Sequence, residues 1–106
     1  MFKNGMRPVH PGEVLREDYL KPLNMSANAL AKALHVPPSR IGDILLERRG
    51  VTADTALRLT RYFGGQPEDA QGWLNLQAIY DFKVAAKQVG PKIAKEISPR
   101  EELEAA

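Results

Sequence analysis

The 106-residue chain has no cysteine, two histidines and a single tryptophan. The absence of cysteine removes disulfide frameworks, zinc-thiolate sites, iron-sulfur clusters and thiol catalysis together. Little is left for imidazole chemistry either. His10 and His35 fall in different segments without the i, i+4 spacing of a helical metal site, so one is expected in a solvent-exposed turn and the other as a helix-end cation. No stretch approaches the ~18 apolar residues of a membrane span, and the segment from Met1 to Arg7 lacks the apolar run of a secretory signal. The expected location is therefore the cytoplasm. Also missing are a phosphate-cradling glycine loop, a Gly-x-Ser-x-Gly turn and a carboxylate pair in an apolar setting. Enzyme chemistry has no visible carrier, and no metal or cofactor is implied. Glu101, Glu102 and Glu104 form a charge run of the kind that is usually a solvated face.

What is present is the composition of a globular domain, 43% hydrophobic and 26% charged. The length suits one domain, expected over residues 1–91, with 92–106 as a tail. The formal charge of +2 conceals an asymmetry. Up to Phe63 there are ten Lys/Arg against six Asp/Glu, a net +4; beyond it there are five against seven, a net −2. A basic N-terminal part points weakly to a polyanionic partner.

Strand signals are scarce, and five helices can be placed. Pro11 suits a first helical position, with Glu13 and Glu17 on the side the helix dipole favours, and Lys21-Pro22 is expected to end this helix near Leu20. Ser26 caps a second helix carrying Ala27, Leu30, Ala31 and Leu34 on one face. Pro38 opens a third, with Ile41, Ile44 and Leu45 as its buried stripe and an end expected near Gly50. Thr52 caps a fourth, Ala53 to Phe63, stopped by Gly64-Gly65. The fifth begins between Pro67 and Trp73 and is expected to close at Gly90-Pro91. Ser98-Pro-Arg-Glu101 then reads as a capping box that can start one more short helix.

The second and third helices are separated only by the residues Leu34 to Pro37, which forces a steep crossing and requires a small residue at the contact. Ala31 supplies it, five positions before Val36. Leu30, Leu34, Val36, Ile41 and Ile44 form the wedge. The opposite face of the third helix then presents Ser39, Arg40 and Asp43, with Glu47 a turn further on. In a helix-turn-helix that helix start enters the major groove. Arg40 can make the bidentate contact to guanine, Ser39 can donate or accept, and Asp43 can accept from cytosine or hold Arg40 by an i, i+3 ion pair. Asn28, Lys32, Arg48 and Arg49 are placed for phosphates, which fix register without reading sequence. The same pattern also fits a helical bundle that binds no DNA.

Four strings, His10-Pro-Gly-Glu13, Leu30-Ala31-x-x-Leu34, Thr52-Ala-Asp-Thr-Ala-Leu-Arg-Leu59 and Trp73-Leu-Asn-Leu-Gln77, occur in this order over residues 7–82. Together they resemble the HigA (VapI-like) antitoxin family. The resemblance implies an all-α, five-helix, lambda-repressor-like domain of the XRE helix-turn-helix type with a long C-terminal helix. It further implies a homodimer that binds operator double-stranded DNA, autorepresses a bacterial type II toxin-antitoxin operon and neutralises a HigB-type, RelE-like mRNA endonuclease. By the same likeness the recognition helix starts at Pro38. Two departures stand out: the family commonly has Gly where this chain has His35, and the interval from Pro67 to Trp73 is lengthened by Glu68 to Gly72.

Trp73, Leu76 and Tyr80 give the fifth helix more apolar surface than one side of a small core needs, so a core role and a dimer contact are both open. Two further functions compete with the antitoxin reading: a solitary transcriptional regulator of the same fold, and a helical adaptor that binds protein rather than DNA. Only fifteen residues follow Pro91, and they carry helix-start signals. Toxin neutralisation is accordingly expected to use a folded surface.

Overall fold

A computed structural model describes residues 7–101, and among them every regular element is helical. Helix α1 comprises Pro11–Val14, a π-helical stretch Leu15–Leu20 and Lys21–Leu23; α2 is Ala27–Leu34, α3 Pro38–Leu45 and α4 Ala53–Tyr62. A 3₁₀ turn, Pro67–Asp69, leads into α5, Ala70–Glu96.

Three side chains satisfy orphan amides where helices begin. His10 Nδ1 accepts from Gly12 N-H at 2.9 Å, Ser26 Oγ from Ala29 N-H at 3.1 Å and Thr52 Oγ1 from Thr55 N-H at 3.5 Å. The first four helices all end alike, in a left-handed residue at Asn24 (φ 50°), His35 (φ 58°), Glu47 (φ 62°) or Gly64 (φ 90°). At each, the next amide reaches back to a carbonyl five residues earlier: Met25 to Leu20, Val36 to Ala31, Arg48 to Asp43, Gly65 to Thr60. This is the Schellman pattern. Three of the four sites carry a side chain where glycine is the unstrained choice.

Several ends differ from the sequence expectation. Helix α1 runs past Pro22, because the π stretch pairs Lys21 N-H with Arg16 O and widens the turn that would otherwise press on the proline ring. Helix α3 stops at Leu45 rather than near Gly50, since Glu47 takes the left-handed position itself. Helix α5 continues through Gly90 and Pro91 to Glu96. Gly90 keeps out of the left-handed region, and the Lys87 carbonyl that Pro91 cannot serve belongs to an exposed residue that water can reach. Arg100 and Glu101 are helical, and the rest of the expected terminal helix lies outside the described residues.

The core joins Leu15 of α1, Leu30, Ala31 and Leu34 of α2, Ile41 and Ile44 of α3, and Ala56 and Leu59 of α4 to Trp73 of α5. Trp73 is 8% exposed and lies 5.3 Å from the Tyr19 ring, which itself meets Phe63 at 4.8 Å. Each large side chain so buried contributes about 1.5–3 kcal/mol. Between α1 and α3 the approach is backbone to backbone: a Cβ on Gly12 would lie 1.8 Å from the Ile44 carbonyl oxygen. Gly12 thereby fixes where α3 sits.

Candidate nucleic-acid interface

Val36, Ile41 and Ile44 pack with Leu30, Ala31 and Leu34 of α2, so the wedge forms as the apolar spacing demands. With that stripe buried, Pro38 and Ser39 are exposed, and Arg40 and Asp43 are half-exposed. On the flanks, Asn28 and Lys32 of α2 and Arg48 and Arg49 after α3 are exposed.

Arg40 has a different partner from the one its spacing offered. Its Nη1 donates to Asp54 Oδ2 at 2.6 Å, across the loop to the first turn of α4. Asp43 instead faces Arg49, at 3.7 Å. The local i, i+3 pair therefore gives way to two longer-range ones. Asp54 Oδ2 also accepts from Arg58 Nε at 2.9 Å, and Arg58 Nη1 donates to Leu34 O, the end of α2, at 2.8 Å. Hydrogen bonds from Arg58 and then Arg40 hold the Asp54 carboxyl below its ordinary range. One carboxylate thus ties the start of α3 to α4 and, through Arg58, to α2.

The far end of α3 is secured as well. Arg16 of α1 donates from Nη1 to Leu45 O at 2.6 Å, occupying a carbonyl at the helix C-terminus. Gln77 of α5 accepts from Val51 N-H at 2.8 Å, and its Cδ would lie 2.9 Å from a Cβ on Gly50. Together these contacts clamp the loop that carries Arg48 and Arg49.

His10 is not a helix-end cation. It is 3% exposed, its Nδ1 lone pair is used by Gly12, and its ring meets the Tyr80 ring at 4.8 Å in a T-shaped contact. Burial pushes its pKa below the ordinary histidine value, so the neutral form is favoured. His35 is the exposed turn residue. Among the described residues no His, Asp and Glu cluster could hold a metal ion, and no helix is long and apolar enough to cross a membrane.

A helix-turn-helix family model matches residues 17–69. Virulence-associated protein I of Dichelobacter nodosus is 68% identical over 83 residues, 78% of this chain and 74% of that protein. An addiction module antidote protein of the HigA family from Coxiella burnetii superposes with TM-score 0.77 and 53% identity, over 89% of this chain and 99% of that one. The chain belongs to the HigA family. A second HigA structure, the Pseudomonas aeruginosa antitoxin with the higBA promoter, has TM-score 0.81 and 45% identity over 89% of this chain and 99% of that one. The HigA family is one of helix-turn-helix antitoxins and transcription regulators, not of enzymes.

Within this HigA chain, sequence reasoning missed Arg16, Asp54, Arg58 and Gln77 as supports of α3 and the loop after it. Asp54 and Arg58 lie inside the Thr52-to-Leu59 string and Gln77 ends the Trp73-to-Gln77 string, whereas Arg16 belongs to none of the four. Trp73 belongs to the core, and Leu76 is partly buried against it. The exposed apolar face of α5 is a different one. Ile79, Phe82, Val89 and Ile93 are 41%, 69%, 42% and 47% exposed, and with Ala86 they repeat at alternating steps of three and four. That is the spacing of a helix seam.

Proposed function

We propose that this chain is the antitoxin of a bacterial type II toxin-antitoxin module, which binds its own operator as a homodimer, represses its operon and neutralises a HigB-type, RelE-like mRNA endonuclease. The observation that carries the DNA-binding part is the exposed start of α3, held at both ends by Asp54 and Arg16 and flanked by basic side chains. A recognition surface must be rigid before it meets DNA, because flexibility lost on docking weakens discrimination. Likeness to a HigA structure determined with a promoter supports the same reading.

In this reading α3 enters the major groove from Pro38, and Ser39, Arg40 and Asp43 read base edges. Asn28, Lys32, Arg48 and Arg49 hold phosphates. A single domain makes few contacts, so a two-fold pair reading half-sites about 34 Å apart supplies the affinity. The seam of that pair is the Ile79, Phe82, Val89 and Ile93 face of α5, whose three-and-four spacing fits a second helix of its own kind.

The test is binding to labelled duplex DNA from upstream of the gene against a scrambled duplex. The expected preference is at least ~10³ at physiological salt, with affinity falling steeply as salt rises. Equal affinity for both duplexes overturns the operator reading. Phe82→Glu should give a monomer by analytical ultracentrifugation and weaken operator binding; an unaltered dimer would move the seam elsewhere. For the toxin, co-purification of the native operon should bring down a small basic protein encoded next to this gene. No such partner, and no such reading frame, would leave a solitary regulator.

A further inference from the structure

We propose that Asp54 is a positioning residue for base reading: its carboxylate, shared with Arg58, holds the Arg40 guanidinium in the orientation that recognises one base pair. The inference rests on the operator reading above and adds a specificity determinant that itself touches no base. Three observations carry it. First, Arg40 Nη1 meets Asp54 Oδ2 at 2.6 Å and this guanidinium makes no other hydrogen bond among the described residues, so Nε and Nη2 retain donors for an acceptor pair such as guanine O6 and N7. Second, Asp54 is itself braced. Arg58 donates to the same oxygen at 2.9 Å and is anchored on the Leu34 carbonyl at 2.8 Å, so the carboxylate is fixed to the end of α2 as well as to α4. Third, the charges suit the task. Two guanidinium groups against one carboxylate leave a net positive site, and Arg49 lines the same depression, so the aspartate orients a cation without making the surface repel a polyanion.

An arginine that swings freely must give up several rotatable bonds when it docks, and it can adapt to more than one base. One already fixed loses less and adapts less. Asp54 therefore trades general affinity for discrimination: its charge opposes phosphates, while its geometry sharpens the reading of one position.

The experiment is a series of single-base-pair substitutions through the operator, measured with wild type, Arg40→Ala, Asp54→Asn, Asp54→Glu and the double variant Arg40→Ala/Asp54→Asn, with thermal midpoints as folding controls. For wild type, substitution at the position read by Arg40 should cost about 5- to 100-fold, and Arg40→Ala should erase that cost. Asp54→Asn should shrink it to within about 3-fold at the same position only, and the double variant should match Arg40→Ala. Asp54→Asn should also steepen the slope of log affinity against log salt by up to about 0.9, as one cation is released for phosphate. Asp54→Glu should recover part of the lost discrimination. An Asp54→Asn profile identical to wild type overturns the proposal. So does a loss spread evenly over all positions with a lowered thermal midpoint, which would mark a structural role, or a larger penalty at the Arg40 position, which would mean that Asp54 withholds Arg40. Failure of the operator reading itself is distinct: wild type would then bind operator and scrambled duplex alike, or Arg40→Ala would leave every position unchanged.

Discussion

Gly12→Ala tests the placement of α3 at its tightest point. The new Cβ would stand 1.8 Å from Ile44 O and 2.8 Å from Ile44 C, both backbone atoms that cannot swing aside. An ordinary carbon-to-oxygen contact is about 3.3 Å or longer, so α1 and α3 must part by about 1.5 Å. Fully buried Leu15 and Ile44 flank the contact and lose packing, since a gap of 0.5–1 Å already forfeits a quarter to a half of each dispersion contact. Overpacking of this kind costs about 1–3 kcal/mol, and the immobile backbone places this case at about 3 kcal/mol or more. For a domain of this size that lowers Tm by roughly 12–24 °C. Gly72→Ala is the control, because its Cβ meets nothing within 4 Å. Replacing a helical glycine there should stabilise by about 0.5–1 kcal/mol. Calorimetry or thermal circular dichroism reads both. A Gly12→Ala variant within ~1 kcal/mol of wild type would refute the backbone-to-backbone account.

His10 predicts a pH effect with a definite sign. Its folded pKa lies below the unfolded value near 6.5, so the unfolded chain binds the extra proton first. Stability should be full above that value and fall as pH drops from about 6.5 toward the folded pKa. His10→Asn keeps a capping acceptor and should flatten the Tm profile between pH 7 and 5; a profile as steep as wild type would assign the effect elsewhere. His35→Gly removes a side chain from φ 58° and should stabilise by about 1 kcal/mol by urea denaturation, with no gain counting against strain at this turn. Arg49→Ala should weaken binding to operator and scrambled duplex alike and make the salt slope shallower by about 0.9. A loss confined to one base position would contradict a phosphate role.

Much of the molecule follows from local rules, because caps and stripes act over a few residues. Ser26 and Thr52 as caps, the inward Ile41 and Ile44, and the buried Ala31 between α2 and α3 needed only spacing and side-chain chemistry. The likeness to HigA rested on four short strings whose physical reasons emerge in the fold: Gly12 admits the Ile44 carbonyl, and Gln77 holds the loop at Gly50 and Val51. What stayed hidden was non-local or a contest between local rules. Pro22 and Pro91 look like stops, yet a π turn accommodates one and solvent exposure the other. Asp54 stands fourteen positions from Arg40, and the Leu34 carbonyl twenty-four from Arg58. No periodicity announces pairs that the turn between helices creates. The exposed apolar stripe of Ile79, Phe82, Val89 and Ile93 along α5 was readable in principle, but it lies on a different face from Trp73 and Leu76, which serve the core.

Methylation interference on the operator addresses the placement of α3 most directly. Guanine N7 projects into the major groove, and a methyl group there blocks an arginine without greatly changing the duplex. Methylated guanines in two half-sites about 34 Å apart should prevent binding, and Arg40→Ala should abolish the interference at one guanine per half-site while the others persist. Binding indifferent to methylation at every guanine, or an interference pattern that Arg40→Ala leaves unchanged, would contradict a recognition helix that reads bases from Pro38 onward.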